Sequence, residues 1–132
     1  MVDRSADWID QAEGDLMHAK HDAEIGYYDW ACFSAQQAAE EAVKGVFQKM
    51  GQEAWGHSAA DLLSSLPEDF RPTGELLDQA LELDKAYIPT RYPNAHPSGS
   101  PRTRYTKKEA ERLVEYATQI LHYCKSLLSK IH

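Results

Sequence analysis

The stretch YDWACFSAQQAAEEAVKGVFQKM, residues 28–50, decides the fold. Ala31, Ala35, Ala38, Ala42 and Gly45 recur every three or four residues and draw a face of small side chains. Cys32, Ala39, Val43 and Val46 draw a second apolar face beside it. A helix apolar on two faces lies between neighbours, and alanine lets their backbones come close. This segment is therefore read as the central helix of a bundle, closed by Gly51. Glu40 and Lys44 stand one turn apart and can pair. Gln36 and Gln37 stand among the alanines, where a buried amide needs partners. Glu40 and Lys44 are expected to join a polar network inside the bundle or to line a groove.

The flanking segments supply the neighbours. In residues 5–25, Trp8, Ala12, Leu16, Ala19 and Ala23 form a narrow stripe, and Gly26 is a natural stop. GQEAWGH, 51–57, reads as a loop. Ser58 then reads as the N-cap of a short helix, AADLLSSL, which stops at Pro67. Residues 75–88 resume a stripe at Leu76, Ala80, Leu83 and Tyr87. Thr106 and Glu109 make an S/T-x-x-E capping box before the last stripe, which runs through Ala110, Leu113, Ala117, Ile120, Cys124 and Leu127. No segment alternates as a strand would. The expected architecture is all-α, an antiparallel four- to five-helix up-and-down bundle, with residues 1–132 as a single domain.

Composition narrows the function classes. Hydrophobic residues at 42% and charged residues at 27% are the balance of a folded globular domain rather than a disordered one. A net charge of −7 excludes a surface that attracts nucleic acid or anionic lipid as a whole. Cys32 and Cys124 lie in apolar helical patterns without a CxxC or a nearby histidine cluster, so they read as buried free thiols and no metal or cofactor is expected. The charged N-terminus is no signal peptide, and no apolar run approaches a membrane span, so a cytoplasmic, membrane-free protein is expected. Trp8, Trp30 and Trp55 are read as core or interface residues, and His57 as a helix-entry hydrogen-bonding residue. His18, His21, His122 and His132 are read as surface residues, since none is spaced with a second ligand.

One segment breaks the acidic pattern. Lys85, Arg91, Arg102, Arg104, Lys107 and Lys108 fall in a 24-residue window holding no Asp or Glu. The window carries +6 and leaves −13 for the rest of a chain whose total is −7. Tyr92 and Tyr105 are interleaved with these charges. Basic side chains hold phosphates and aromatic rings stack on unpaired bases, so Lys85, Tyr92, Arg102, Arg104, Tyr105, Lys107 and Lys108 form a candidate nucleotide- or RNA-binding set. Arg91 and His96 in the same window are a candidate catalytic pair. His96 could move the proton of an attacking RNA 2′-hydroxyl, and Arg91 could stabilise charge on the phosphoryl oxygens.

Four blocks in order, WACFSAQQAAEEAVKGVF (30–47), GHSAADLLSSLP (56–67), LDKAYIPTRYPNAH (83–96) and YTKKEAERLVEYATQIL (105–121), resemble the HEPN family. The resemblance implies a helical bundle, commonly a homodimer, often encoded beside a minimal nucleotidyltransferase that acts as its partner. It also implies a link to toxin–antitoxin and defence systems. Many similar proteins are metal-independent endoribonucleases with an arginine, four to six residues, then a histidine, a spacing that Arg91 and His96 match. Tyr92 and Pro93 follow Arg91 where ribonuclease members usually carry Asn, Asp or His, and Ser98 stands where some members carry a modifiable tyrosine. These departures put first the expectation of a dimeric module that binds nucleotide or RNA or partners a nucleotidyltransferase. The ribonuclease using Arg91 and His96 is the alternative.

Overall fold

The structure, a computed structural model, describes residues 2–88 and 90–131; His132, one of the expected surface histidines, lies outside them. Five α-helices are present: α1 Ser5–Ile25, α2 Tyr28–Lys49, α3 Ala59–Ser64, α4 Gly74–Asp84 and α5 Lys107–Leu128. The described residues contain no strand. The expected helical class is correct, and its reason is visible in α2. Ala31, Ala35, Ala38, Ala39, Ala42 and Val43 are all fully buried, as the two apolar faces required.

Helix α1 packs along α2 as an antiparallel hairpin, and α5 packs against both. Gly26 takes φ 94°, a left-handed conformation open to glycine, and so turns the chain within two residues. The approach is close. A methyl added at Gly45 would meet Ile9 Cδ1 at 3.2 Å. This bears on the tryptophans, read from the sequence as core or interface residues, because none of the three is in the core of the chain. Trp55 is 82% exposed, Trp30 43% exposed, and Trp8 is half-buried under the Lys44 ammonium, 5.7 Å from its ring centroid. Helices spaced for alanine leave no room for an indole between them.

Both proposed caps are made. Ser58 Oγ accepts from the Asp61 N–H at 3.0 Å, and Thr106 Oγ1 from the Glu109 N–H at 3.1 Å. The helix expected over 75–88 ends earlier, at Asp84. Its last bonds tighten to three-residue spacing, Ala86 N–H to Leu83 and Tyr87 N–H to Asp84. A proline at 89, which has no N–H, could not have extended it. The Asp84 side chain also has work outside its helix. It accepts from the N–H groups of Ala59 and Ala60 at 2.8 and 3.0 Å, from Ser58 Oγ at 2.8 Å and from Gln36 Nε2 at 3.1 Å. Gln36, fully buried, accepts in turn from the Gln37 amide at 2.7 Å. The carboxylate that caps α3 thus also holds the buried Gln36 amide, which the His57 carbonyl shares.

Among the described residues, no helix is long and apolar enough to cross a membrane. The two cysteines are buried free thiols.

Candidate functional site

The connector between α4 and α5 crosses the end of the bundle where α2 and α5 begin. Its prolines shape it as the sequence required. Pro93–Ala95 and Pro101–Thr103 are single 3-10 turns, with Tyr92 and His96 extended on either side of the first. Gly99 takes φ 79°, and a Cβ there would come within 3.1 Å of Thr103 Oγ1. No regular helix runs through Arg91 and His96.

Arg91 does not face solvent. Its guanidinium forms a direct ion pair with the Asp29 carboxylate in the first turn of α2. The pair is largely buried, with 22% of the Arg91 side chain and 7% of the Asp29 side chain exposed. The guanidinium carbon lies 3.6 Å from the centroid of the Trp30 ring, a cation–π contact, and 5.8 Å from that of Phe33. Arg91 Nε is buried without a hydrogen-bond acceptor. His96 meets Tyr105 edge to face with centroids 5.9 Å apart. Burial pushes the Tyr105 phenol up to about 12, the Cys32, Glu109 and Asp29 groups adding to the shift and Arg91 opposing it. His96 thus packs on Tyr105, whereas the ring contacts of Arg91 are to Trp30 and Phe33.

The remaining basic residues behave differently. Lys85, Arg102, Arg104, Lys107 and Lys108 are exposed and make no ion pair among the described residues, whereas Arg4, Lys44, Lys49, Arg91, Arg112 and Lys125 are each paired with an acid. Tyr92 is exposed beside them. Lys107 and Lys108 occupy the first turn of α5, where the helix dipole is already positive. Lys85 and Tyr105 share the wall of a cavity of about 150 Å³ with Glu82, Glu109 and Arg112, so that hollow holds both signs of charge.

Sequence reasoning missed Asp29, because a single acid at the start of an apolar run looks like an ordinary first-turn residue. It also missed an aromatic stack. The His57 ring lies on Tyr87 at 4.9 Å, Tyr87 on Phe33 at 6.0 Å, and Trp30 meets Phe33 edge-on at 6.2 Å. His57 makes a hydrogen bond at the entry to α3 through its backbone carbonyl rather than its ring. Ser58 and Asp84 cap α3, while the His57 carbonyl accepts from Gln36 at 2.7 Å and His57 Nδ1 stands 3.4 Å from Glu40 Oε1. Glu40 and Lys44 pair at 3.1 Å in a nearly closed environment, as the polar-network reading expected.

These features define a small all-helical bundle domain with a proline-rich basic connector pinned at its arginine. The chain belongs to the HEPN domain family, whose model matches residues 5–127. Three solved structures are similar over nearly the whole length. The TT1696 protein of Thermus thermophilus is 49% identical, with a TM-score of 0.92, covering 95% of this chain and 98% of that one. ST0689, an archaeal HEPN homologue, is 41% identical, with a TM-score of 0.81 and coverages of 96% and 99%. A HEPN domain protein of Thermotoga maritima is 57% identical, with a TM-score of 0.77 and coverages of 94% and 98%. No curated protein matches.

Proposed function

We propose that this HEPN domain is a dimeric module that binds single-stranded RNA or nucleotide along the α4–α5 connector and works beside a minimal nucleotidyltransferase. The observation that carries the reading is the segregation of unpaired charge. Five exposed cations without an ion pair among the described residues fall in one 24-residue window that holds no acid, on a chain of net charge −7, while six of the nine other Lys and Arg residues are paired with acids. Lys107 and Lys108 at a helix N-terminus repel the dipole there, an arrangement that a bound phosphate would turn favourable. Tyr92 offers an exposed ring for a base. The exposed side chains of Leu81 and Ile88 supply apolar surface for a second copy. A salt titration of binding to labelled single-stranded RNA tests the reading. Affinity should fall steeply with salt, and the double variant Arg102→Glu, Arg104→Glu should bind more weakly with a flatter slope. RNA binding absent at low salt would remove the nucleic-acid half of the proposal. Light scattering at micromolar concentration should give a dimer mass, and a monomer mass would remove the dimer.

A second reading is a metal-independent endoribonuclease using Arg91 and His96. The spacing of Arg91 and His96 in one connector favours it. The engagement of Arg91 by Asp29 weighs against it, since that bond takes up part of the guanidinium a phosphate would need.

A further inference from the structure

At the α1–α2 turn, His18, Asp22, Tyr27 and Trp30 line a cavity of about 330 Å³. Asp22 comes from the last turns of α1 and is only 6% exposed. Its Oδ2 lies 3.2 Å from His18 Nε2, and His18 Nδ1 lies 3.3 Å from Ser34 Oγ on α2. His18 thus stands between the Asp22 carboxylate and the Ser34 hydroxyl, with which its Nδ1 shares a hydrogen bond.

An Asp–His–Ser chain invites comparison with a hydrolase, and the surroundings reject it. Ser34 is buried in the middle of α2, and the backbone N–H groups of that helix interior are spent on helical bonds. An attacked carbonyl would find no oxyanion donors there. The contacts instead seat the His18 ring between Ser34 and the Asp22 carboxylate.

The other Asp22 oxygen, Oδ1, makes no hydrogen bond among the described residues, and Asp22 lines the cavity. A buried carboxylate is costly unless cations and donors complete it. Around it stand Tyr27 and Trp30, whose ring faces attract cations. We propose that this cavity binds an organic cation, an ammonium or guanidinium group, with Asp22 as its counter-charge and Tyr27 and Trp30 as its aromatic walls. The molecule already contains the same chemistry once. Trp30 holds the Arg91 guanidinium at 3.6 Å while Asp29 neutralises it. The cavity volume suits a group the size of an arginine side chain or a small amine. The cation has two sources, a free amine or an arginine or lysine side chain of another protein.

The test follows the indole N–H resonance of Trp30, assigned with Trp30→Phe, during titration of the full chain. Agmatine and tetramethylammonium probe free cations, and a short arginine peptide probes a protein side chain. Butylurea and the matching citrulline peptide are neutral isosteres. Saturable shifts with the cations and none with the isosteres support the site. A stronger response to the peptide assigns it to a protein partner, and a stronger response to agmatine to a free amine. Asp22→Asn, which preserves shape and can still engage His18, should weaken binding about tenfold or more, and Trp55→Ala should leave it unchanged. No saturable shift, equal shifts with the isosteres, or undiminished binding in Asp22→Asn would each overturn the proposal. If Asp22→Asn does not fold, the isostere comparison on the unaltered chain still decides.

Discussion

Arg91 in the connector and Asp29 in the first turn of α2 form a direct ion pair across 62 positions of sequence, with the Trp30 ring against the guanidinium. The contact ties the basic connector to the central helix. Removing one partner leaves a largely buried charge alone, so Arg91→Ala or Asp29→Ala should each destabilise the fold by about 3 kcal/mol. Arg91→Lys should recover little, because an ammonium cannot stack as a planar guanidinium does. Denaturant unfolding checks this. It also sets a condition on function, since lost RNA cleavage in Arg91→Ala would report on folding as much as on chemistry.

His96 gives the cleaner test of chemistry. If the ribonuclease reading holds, His96→Ala abolishes cleavage of labelled single-stranded RNA while binding persists. EDTA leaves the rate unchanged, and the products carry 2′,3′-cyclic phosphates, as attack by the 2′-hydroxyl requires. Cleavage that survives unchanged in His96→Ala rules the residue out. Absence of cleavage in every preparation leaves the binding module.

Glu41 on α2 makes stability depend on pH. Burial first, then its hydrogen bond and charge interaction with Asp15 and the charge of Glu40, push its carboxyl from the usual 4.5 up to about 9, against the pull of Lys44. The folded chain therefore holds a proton that the unfolded chain gives up near pH 4.5. The contribution of this group to stability is complete below that pH and is lost as pH rises toward 9. Glu41→Gln should remove this slope and be more stable than the parent at about pH 8, with the advantage gone at about pH 4. Unfolding midpoints across that range check it.

Asp84 should prove more costly to lose than an ordinary surface acid. Asp84→Ala strands the N–H groups of Ala59 and Ala60 and removes one of the two acceptors of the Gln36 amide. A loss of about 2 kcal/mol or more is expected, together with faster amide exchange in α3 than in α5. Retained protection of the Ala59 and Ala60 amides would contradict the role assigned to the carboxylate.

Cys32 and Cys124 should resist thiol reagents in the folded state. Both are fully buried, and burial pushes the Cys32 thiol up to about 12 and that of Cys124 higher still. Labelling should proceed only at the rate of unfolding.

The helices and caps were legible in the sequence because they rest on local periodicity. Stripes at three- and four-residue spacing, a glycine at 26, and a serine and threonine before two helices each act within a few residues. The basic window was legible for the same reason, since charge segregation is a property of the chain itself. The spacing of Arg91 and His96 could also be read directly.

What those residues touch could only be decided in three dimensions. Nothing near Arg91 in sequence announces Asp29, and nothing near Asp84 announces the start of α3, because partners 24 to 62 positions apart meet only when the bundle closes. The tryptophans show the same limit. Composition assigns a large ring to a core, but the alanine faces of α2 bring the helices too close to admit one, so Trp30 and Trp55 are displaced to the surface. Local propensity and spacing determined the elements and the charge pattern. Packing distances then decided that Arg91 is a buried anchor, that Trp30 stands at the surface between a guanidinium and a cavity, and that the remaining cations stay free.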